Sequence, residues 1–468
     1  MATVAIVTLG CPKNQVDSEA IASILEESGY ELVSDSAQAD FVIVNTCGFI
    51  RPAREESLAE LKALAASRRP GQRLIAAGCL AELNPSLLMQ AVPGLDALLS
   101  TRRWHEVGNL LAELGGPRPS PVARLGDSST PTRRASRRPT GATAYIKIAD
   151  GCDGPCAFCT IPRIKGPYVS RPRAEIVAEA GELVATGCKE LILIAQDTTG
   201  YGRERGERDA LPGLIETVLE EAPAPRWLRL MYAYPQHVSD RLLEVMAARP
   251  QVCHYLDLPL QHAHAEVLRC MRRPADADDI LSLIGRARAA MPDLVLRTAF
   301  IVGYPGESEA EFEYLLEFLR EVRFDHVGAF AYSREEGTPA GEMEPQVPEE
   351  IKTQRRDRLL EVQQQVSLER NRAQLGRELA VLVEGAGDGV SVGRTYRDAP
   401  EVDGLALLVG EREPGEMVPC RVARATEYDL FMEPLDGVPR ARGSRRRSPR
   451  RRRAGGDDGR GGACRLAG

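Results

Sequence analysis

The strongest chemical signal in this 468-residue chain is one short loop, Gly151-Cys152-Asp153-Gly154-Pro155-Cys156-Ala157-Phe158-Cys159. Its cysteines are spaced C-x3-C-x2-C, directly after a run that reads as a strand. Three thiolates on one tight loop can converge on one metal centre, and iron–sulfur clusters are held by Cys thiolates in this way. A complete cubane takes four protein ligands, so three leave one iron open to a substrate or cofactor. A zinc knuckle or a set of reactive thiols uses the same residue type. Structural zinc takes four ligands, however, and no His lies nearby.

A second set is spread along the chain. Cys11, Cys47 and Cys79 stand in TLG-Cys11, VNT-Cys47 and AAG-Cys79, each at the end of a predicted strand. Loops after parallel strands leave the same sheet edge, so these three can meet in space. The competing reading is three small buried cysteines, which are common at strand ends. Cys188, Cys253, Cys270, Cys420 and Cys464 lack partners at metal spacing, and Cys188 and Cys253 read as core thiols. His262 and His264 read as solvent or substrate-cleft histidines rather than metal ligands.

Three kinds of element position these residues. Runs 3–9, 41–47 and 73–79 read as buried parallel strands, with helical stretches 16–27 and 54–66 between them, giving an open α/β layer. Strands are then expected at 144–149, 191–195, 227–232, 254–258, 295–302 and 326–331. Helical patterns follow, as at 173–186, 239–248 and 308–320. Six βα units in series imply a partial (βα)6 barrel, whose chemistry gathers at the carboxyl ends of its strands. A long helix over 348–375 leads out. Four short β-rich runs (379–384, 404–409, 417–423, 428–433) broken by Gly, Asp and Pro imply a small all-β barrel. The expected domains are 1–127, a polar linker 128–141, 142–372, 373–436 and an Arg-rich disordered tail 437–468. The fold class is therefore α/β with a small β-barrel appended.

Composition sets limits on function. Hydrophobic residues make up 43% and charged residues 27%, which excludes wholesale disorder. Apolar runs such as 41–44 and 191–195 are far too short to span a bilayer. The first residues, MATVAIVTLG, lack a basic region and a cleavage site, so no signal peptide is expected. Without an export signal, the 11 cysteines are expected in a reducing cytoplasm, in metal or redox use rather than disulfides. The net charge of −7 hides a split: the segment from Pro439 on carries +9, leaving −16 for the body. An acidic body does not advertise a nucleic-acid partner, and no specific DNA is expected. The stretch from Ala373 to Asp436 has 13 acidic residues against six Arg, so it would repel phosphate and suit a basic protein.

The loop Cys152-x3-Cys156-x2-Cys159 before a βα barrel resembles the radical S-adenosylmethionine enzymes. The N-terminal cysteine triad and the C-terminal barrel resemble the methylthiotransferases, with their extra N-terminal domain and TRAM domain, over about residues 1–436. The wording resembles the ribosomal protein branch: Gly10-Cys11-Pro12-Lys13-Asn14 with Asp17-Ser18-Glu19, Asn45-Thr46-Cys47-Gly48-Phe49-Ile50, Gln196-Asp197-Thr198-Thr199, the run Tyr255 to His262 and the run Tyr332 to Thr338. The transfer-RNA branch usually has Gln-Met at the positions of Pro12-Lys13 and Ser at that of Gly48.

The resemblance implies two 4Fe–4S clusters, one on Cys152, Cys156 and Cys159 and one on Cys11, Cys47 and Cys79. The first would bind S-adenosylmethionine at its open iron and cleave it by one electron to a 5′-deoxyadenosyl radical. The second would present the sulfur to be methylated and transferred. S-Adenosylmethionine would serve as radical source and methyl donor. The implied product is a methylthio group on the β-carbon of an aspartate in small-subunit ribosomal protein S-twelve. The implied electron donor is a flavodoxin or ferredoxin. The alternative is the same chemistry on isopentenyladenosine in transfer RNA. Cofactor contacts are expected from Phe158, Gln196, Asp197, Arg229, Arg297 and Gly303. Gly303 and Gly306 would let backbone approach the adenine closely.

Overall fold

The computed structural model describes residues 1–116, 121–127, 137, 141–222, 225–273 and 277–436. The expected tail, and most of the expected linker, lie outside these residues. The N-terminal sheet is parallel, in the order Glu31–Leu32, Thr3–Thr8, Phe41–Thr46, Arg73–Gly78, Ala97–Ser100, Val122–Arg124. Helices Pro12–Glu27 and Arg51–Ser67 lie between its first long strands. Phe41 and Ile43 pack with Val4, Ile75 and Leu99 on one face. Val42 and Val44 pack with Ala5, Leu74 and Leu98 on the other. Both faces are covered, so the strand reads as one apolar run rather than an alternation.

The middle sheet runs in chain order: Thr143–Lys147, Glu190–Ile194, Trp227–Leu230, Val252–Asp257, Val295–Val302, His326–Ala331. Every neighbouring pair is parallel. Its first and last strands are not paired, so the barrel is open, as the six βα units imply. Helix Glu309–Val322 shows why these elements form where they do. Ser308 and Glu311 make a reciprocal capping box at its start. Phe312, Leu315, Leu316 and Leu319 then return every three or four residues to one buried face.

The third sheet is a closed five-stranded barrel of Glu378–Gly387, Val390–Arg394, Ala406–Val409, Leu430–Pro434 and Met417–Ala425. Four β runs were expected; the fifth, Val390–Arg394, is hidden by its glycine. A β-carbon at Gly393 would collide with the carbonyl of Leu382, so close strand contact demands a residue that weakens the β signal.

Helix Glu349–Arg372 joins the two barrels. Asp325 is the pin of that joint. Its carboxylate accepts from Arg370 Nε at 2.9 Å, from Arg397 Nη2 at 2.8 Å and from the Leu296 N–H at 3.0 Å. Burial pushes its carboxyl up, and the two guanidiniums outweigh that and hold it below the usual range. Asp325→Ala strands Arg397, which is itself buried. The expected loss of stability is about 3–5 kcal/mol, read by denaturant unfolding.

Candidate functional site

The loop carrying Cys152, Cys156 and Cys159 follows the first barrel strand and is clamped at several points. Gly151 has φ +74, and a β-carbon there would run into the Pro167 carbonyl. Only glycine lets the chain turn under that carbonyl. Cys152 N–H donates to Gly166 O at 3.1 Å, Cys159 N–H to Cys156 O at 3.2 Å, and Ala157 N–H to Met271 O at 3.0 Å. A β-carbon on Gly154 would lie 3.2 Å from Cys152 Sγ and 3.9 Å from Cys156 Sγ, so the two sulfurs flank the same glycine. Each sulfur also has a donor: Gly154 N–H to Cys152 at 3.3 Å, Ile161 N–H to Cys159 at 3.4 Å and Arg273 Nη1 to Cys156 at 3.6 Å.

Cys11, Cys47 and Cys79 come together at the carboxyl edge of the N-terminal sheet. Cys11 caps helix Pro12–Glu27, Cys47 follows strand Phe41–Thr46 and Cys79 opens helix Cys79–Leu83. Asn14 ties them: its amide donates to Leu9 O at 2.9 Å and to Thr46 O at 3.2 Å, and its oxygen accepts from Cys79 Sγ at 3.6 Å. Gly10 has φ +95, and a β-carbon there would press on Cys47 Cβ at 2.8 Å. The distant spacing therefore resolves into one site.

Burial pushes the thiols of Cys47 and Cys152 up, and those of Cys79 and Cys159 up to about 12. Such thiols are inert alone, whereas metal coordination deprotonates a thiol outright. The donors aimed at the sulfurs favour thiolate as well. Among the described residues, no three His, Cys, Asp or Glu close round a single metal ion. A four-iron cluster is larger than one ion and needs its ligands farther apart. Three cysteine thiols are the type of donor that such a cluster takes.

The two triads face one joint. Thr160, beside Cys159, donates to the Phe49 carbonyl, two residues past Cys47, at 3.5 Å. Arg54 pairs with Glu335, and Arg51 N–H donates to Glu335 at 3.0 Å. Asp17 of the N-terminal helix takes Lys147 at 2.5 Å and Lys165 at 3.0 Å, and Lys147 also pairs with Asp150 at 2.7 Å. Sequence reasoning passed over Lys147, Lys165 and Arg273, because no motif spacing marks them. The partners of Lys147 and Lys165 in Asp17 lie more than one hundred residues away in the chain.

The expected cofactor residues divide. Phe158, half-buried, packs against the small cluster of Ala157, Val267, Met271, Tyr304 and Tyr332. Gln196 lies half-buried past the second barrel strand, with no hydrogen bond to its amide among the described residues. Asp197 adjoins it, and its charge reaches Cys152. Its carboxylate also holds Thr199 Oγ1 at 2.6 Å, Gly200 N–H at 3.0 Å and His237 Nδ1 at 2.6 Å.

Arg229, Arg297 and Gly303 each have other engagements in the fold. Arg229 is fully enclosed. It pairs with Glu190 at 2.7 Å, donates to Tyr396 O of the small barrel at 2.8 Å and stacks over Tyr255. Its Nη2 is buried without a hydrogen-bond partner among the described residues. Arg297 bridges Asp257 at 3.0 Å and Asp403 of the small barrel at 3.3 Å. Gly303 makes room for helix Glu349–Arg372: a β-carbon there would strike the Lys352 side chain. Gly306 has no neighbour within 4 Å of that position. His262, expected in solvent or a cleft, is wholly buried, 3.4 Å from Glu307. Cys188 and Cys253 are buried core thiols, as read. A cavity of about 430 Å³ is lined by Arg203, Arg208, Gln236 and His237 and touches neither triad.

Three family models match the chain: Uncharacterized protein family UPF0004 over residues 3–100, the Radical SAM superfamily over 146–319 and the TRAM domain over 375–434. Among similar proteins, a ribosomal protein uS12 methylthiotransferase of Chloroflexus aurantiacus is 48% identical, covering 92% of this chain and 99% of its own. One from Symbiobacterium thermophilum is 44% identical, covering 93% and 92%. Among solved structures, the radical S-adenosylmethionine methyltransferase TsrM of Kitasatospora setae, with cobalamin and a [4Fe-4S] cluster bound, matches with a TM-score of 0.54. It is 14% identical and covers 73% of this chain and 77% of its own, a likeness of fold alone.

Proposed function

Because this chain belongs to the family of ribosomal protein uS12 methylthiotransferases, we propose that it adds a methylthio group to the β-carbon of an aspartate in ribosomal protein uS12. The observation that carries the reading is the pair of cysteine triads on either side of one joint, each with three sulfurs among the described residues. Cys152, Cys156 and Cys159 would hold one 4Fe–4S cluster, and Cys11, Cys47 and Cys79 would hold the other. When bound, the clusters supply the electron that cleaves S-adenosylmethionine and the sulfur that is transferred.

The chain's own residues bind, orient and exclude water. Arg273 sets a cation against Cys156, and the Gly154 and Ile161 amides stabilise thiolate at Cys152 and Cys159. The free amide of Gln196 lies at the strand edge where S-adenosylmethionine belongs. Asp197 is held rigid by Thr199, Gly200 and His237. Val16 of the N-terminal helix and Leu382 and Ala399 of the small barrel pack on Tyr145, Ile192 and Met231, closing the barrel against solvent.

The acidic small barrel supports a basic protein substrate over transfer RNA. Glu401, Glu411 and Glu413 are exposed and available to such a partner. Asp403 of the same segment is not: its carboxylate accepts from Tyr255 at 2.5 Å and pairs with Arg297. No helix among the described residues is long and apolar enough to cross a membrane. A cytoplasmic setting suits a ribosomal substrate, and a small flavodoxin or ferredoxin is the fitting electron donor.

Mass spectrometry on a strain lacking the gene tests the substrate. One aspartyl peptide of uS12 is expected to lose its methylthio group while transfer-RNA nucleosides stay unchanged. Loss from a transfer-RNA adenosine instead would keep the chemistry and overturn the substrate.

A further inference from the structure

Each cysteine of the N-terminal triad lies close to a bond that crosses to the Cys152 loop. Asp17, on the helix that Cys11 caps, takes Lys147 at 2.5 Å and Lys165 at 3.0 Å. The Phe49 carbonyl, just past Cys47, accepts from Thr160 Oγ1 at 3.5 Å. Arg102 supplies the third tie. Its Nε donates to Ile164 O at 3.1 Å and its Nη2 to Arg163 O at 3.2 Å. The same Nη2 is braced at 2.9 Å by Glu82, on the helix that Cys79 opens. The receiving carbonyls belong to helix Ile161–Lys165, which follows Cys159.

The ties reach both ends of the Cys152 loop. Lys147 stands before it and pairs with Asp150 at 2.7 Å. Lys165 stands after it, donates to Thr101 at 2.5 Å and adjoins Gly166, whose carbonyl holds the Cys152 N–H. Asp17, Lys147 and Lys165 are all buried. Buried ion pairs add little stability over apolar packing, and their best-attested use is to set register. Two bodies joined at one point can pivot, whereas ties spread over three strand exits oppose that. The N-terminal sheet and the Cys152 loop therefore stand in one fixed relation.

We infer that this joint sets the distance between the two triads, with Asp17 and Arg102 as positioning residues, and so decides how often a radical made at one site is used with sulfur from the other. The inference rests on the reading that both triads carry clusters serving one substrate. Asp17 and Arg102 act through the backbone that carries the cysteines, and neither bonds a cysteine sulfur among the described residues. A radical that misses the target carbon takes its hydrogen atom elsewhere, and 5′-deoxyadenosine then forms without methylthiolated product.

The test counts methylthiolated uS12 formed per 5′-deoxyadenosine released, anaerobically, on the cluster-loaded full-length enzyme. Asp17→Asn combined with Arg102→Ala is expected to lower that ratio by about 10- to 100-fold while 5′-deoxyadenosine formation holds, since a misplacement of about 1 Å can cost about 100-fold. Arg102→Lys in place of Arg102→Ala keeps a donor and should recover part of the ratio. Arg102→Ala alone, at a partly exposed side chain, should show the same trend and carries the test if the pair folds poorly. Hydrogen exchange supplies a readout apart from turnover. The Arg51 N–H crosses the joint to Glu335 at 3.0 Å, is bonded by neither altered residue, and should exchange faster in the double variant. Asp325→Ala is the control: it weakens the fold at the other joint, so it should lower the melting temperature and leave the ratio unchanged. An unchanged ratio in the double variant would overturn the inference. An equal fall in Asp325→Ala would overturn it as well, because stability alone would then explain the effect. A wild type that carries both clusters yet forms no methylthiolated uS12 would bring down the substrate reading and this inference with it.

Discussion

Cys156→Ala is expected to abolish cleavage of S-adenosylmethionine, with 5′-deoxyadenosine falling to background. The loop has no spare sulfur. Its sulfurs are placed by short-range constraints, the Gly151 turn, the Cys159–Cys156 backbone bond and the Ala157–Met271 bond, so no other side chain can swing in. Arg273 provides the scale for comparison. It touches Cys156 Sγ at 3.6 Å and is anchored by Pro259 O at 2.6 Å and by the Tyr234 ring. Loss of such an outer partner costs about 10- to 100-fold. Arg273→Ala should fall in that range, while Cys156→Ala should lie well beyond it. Anaerobic assay of 5′-deoxyadenosine, with iron and sulfide measured on the same samples, separates the two. Equal and modest losses would mean that Cys156 is not a ligand.

Cys47→Ala is expected to uncouple the enzyme. Methylthiolation should vanish while S-adenosylmethionine is still cleaved, and iron per chain should fall by about half, one of two clusters. The reason lies in how separately the two sites are built. Cys47 is held by Ser57, whose hydroxyl accepts its N–H at 3.1 Å and donates to its carbonyl at 3.0 Å. Neither contact touches the Cys152 loop, which takes its own support from Gly166, Met271 and Arg273. The shared joint is carried by Asp17, Lys147 and Lys165, all intact in this variant. Preserved iron together with preserved methylthiolation would remove Cys47 from the site.

The two results would also rank what could be read in advance. The Cys152 loop was legible because its chemistry is local: covalent spacing alone keeps three sulfurs within one turn. The N-terminal triad was legible at one remove, since strands that read as parallel must release Cys11, Cys47 and Cys79 at one edge. Asn14, which joins them by hydrogen bonds to Leu9, Thr46 and Cys79, carried no mark of that task. Arg229 and Arg297 lie on barrel strands, where an inward arginine invites a catalytic reading. The structure spends both on the small barrel, through Tyr396 and Asp403. Nothing near them in the chain announces partners 167 and 106 residues away.

The sequence by itself determined the three architectures, the two cysteine triads and the class of reaction. The architectures and the triads follow from strand and helix periodicity, from short spacings and from the chemistry of thiolates, and the class of reaction from the resemblance to the methylthiotransferases. Tertiary structure alone decided which buried charges neutralise one another. Asp17 reaches Lys147 and Lys165 across the joint, Glu190 reaches both Arg229 and Arg394, and Lys13 is left without a carboxylate. The physical reason is that a buried charge must find its partner in space, wherever the chain brings one. A side chain spent on such a pair and one left without a carboxylate are the same letter in the sequence.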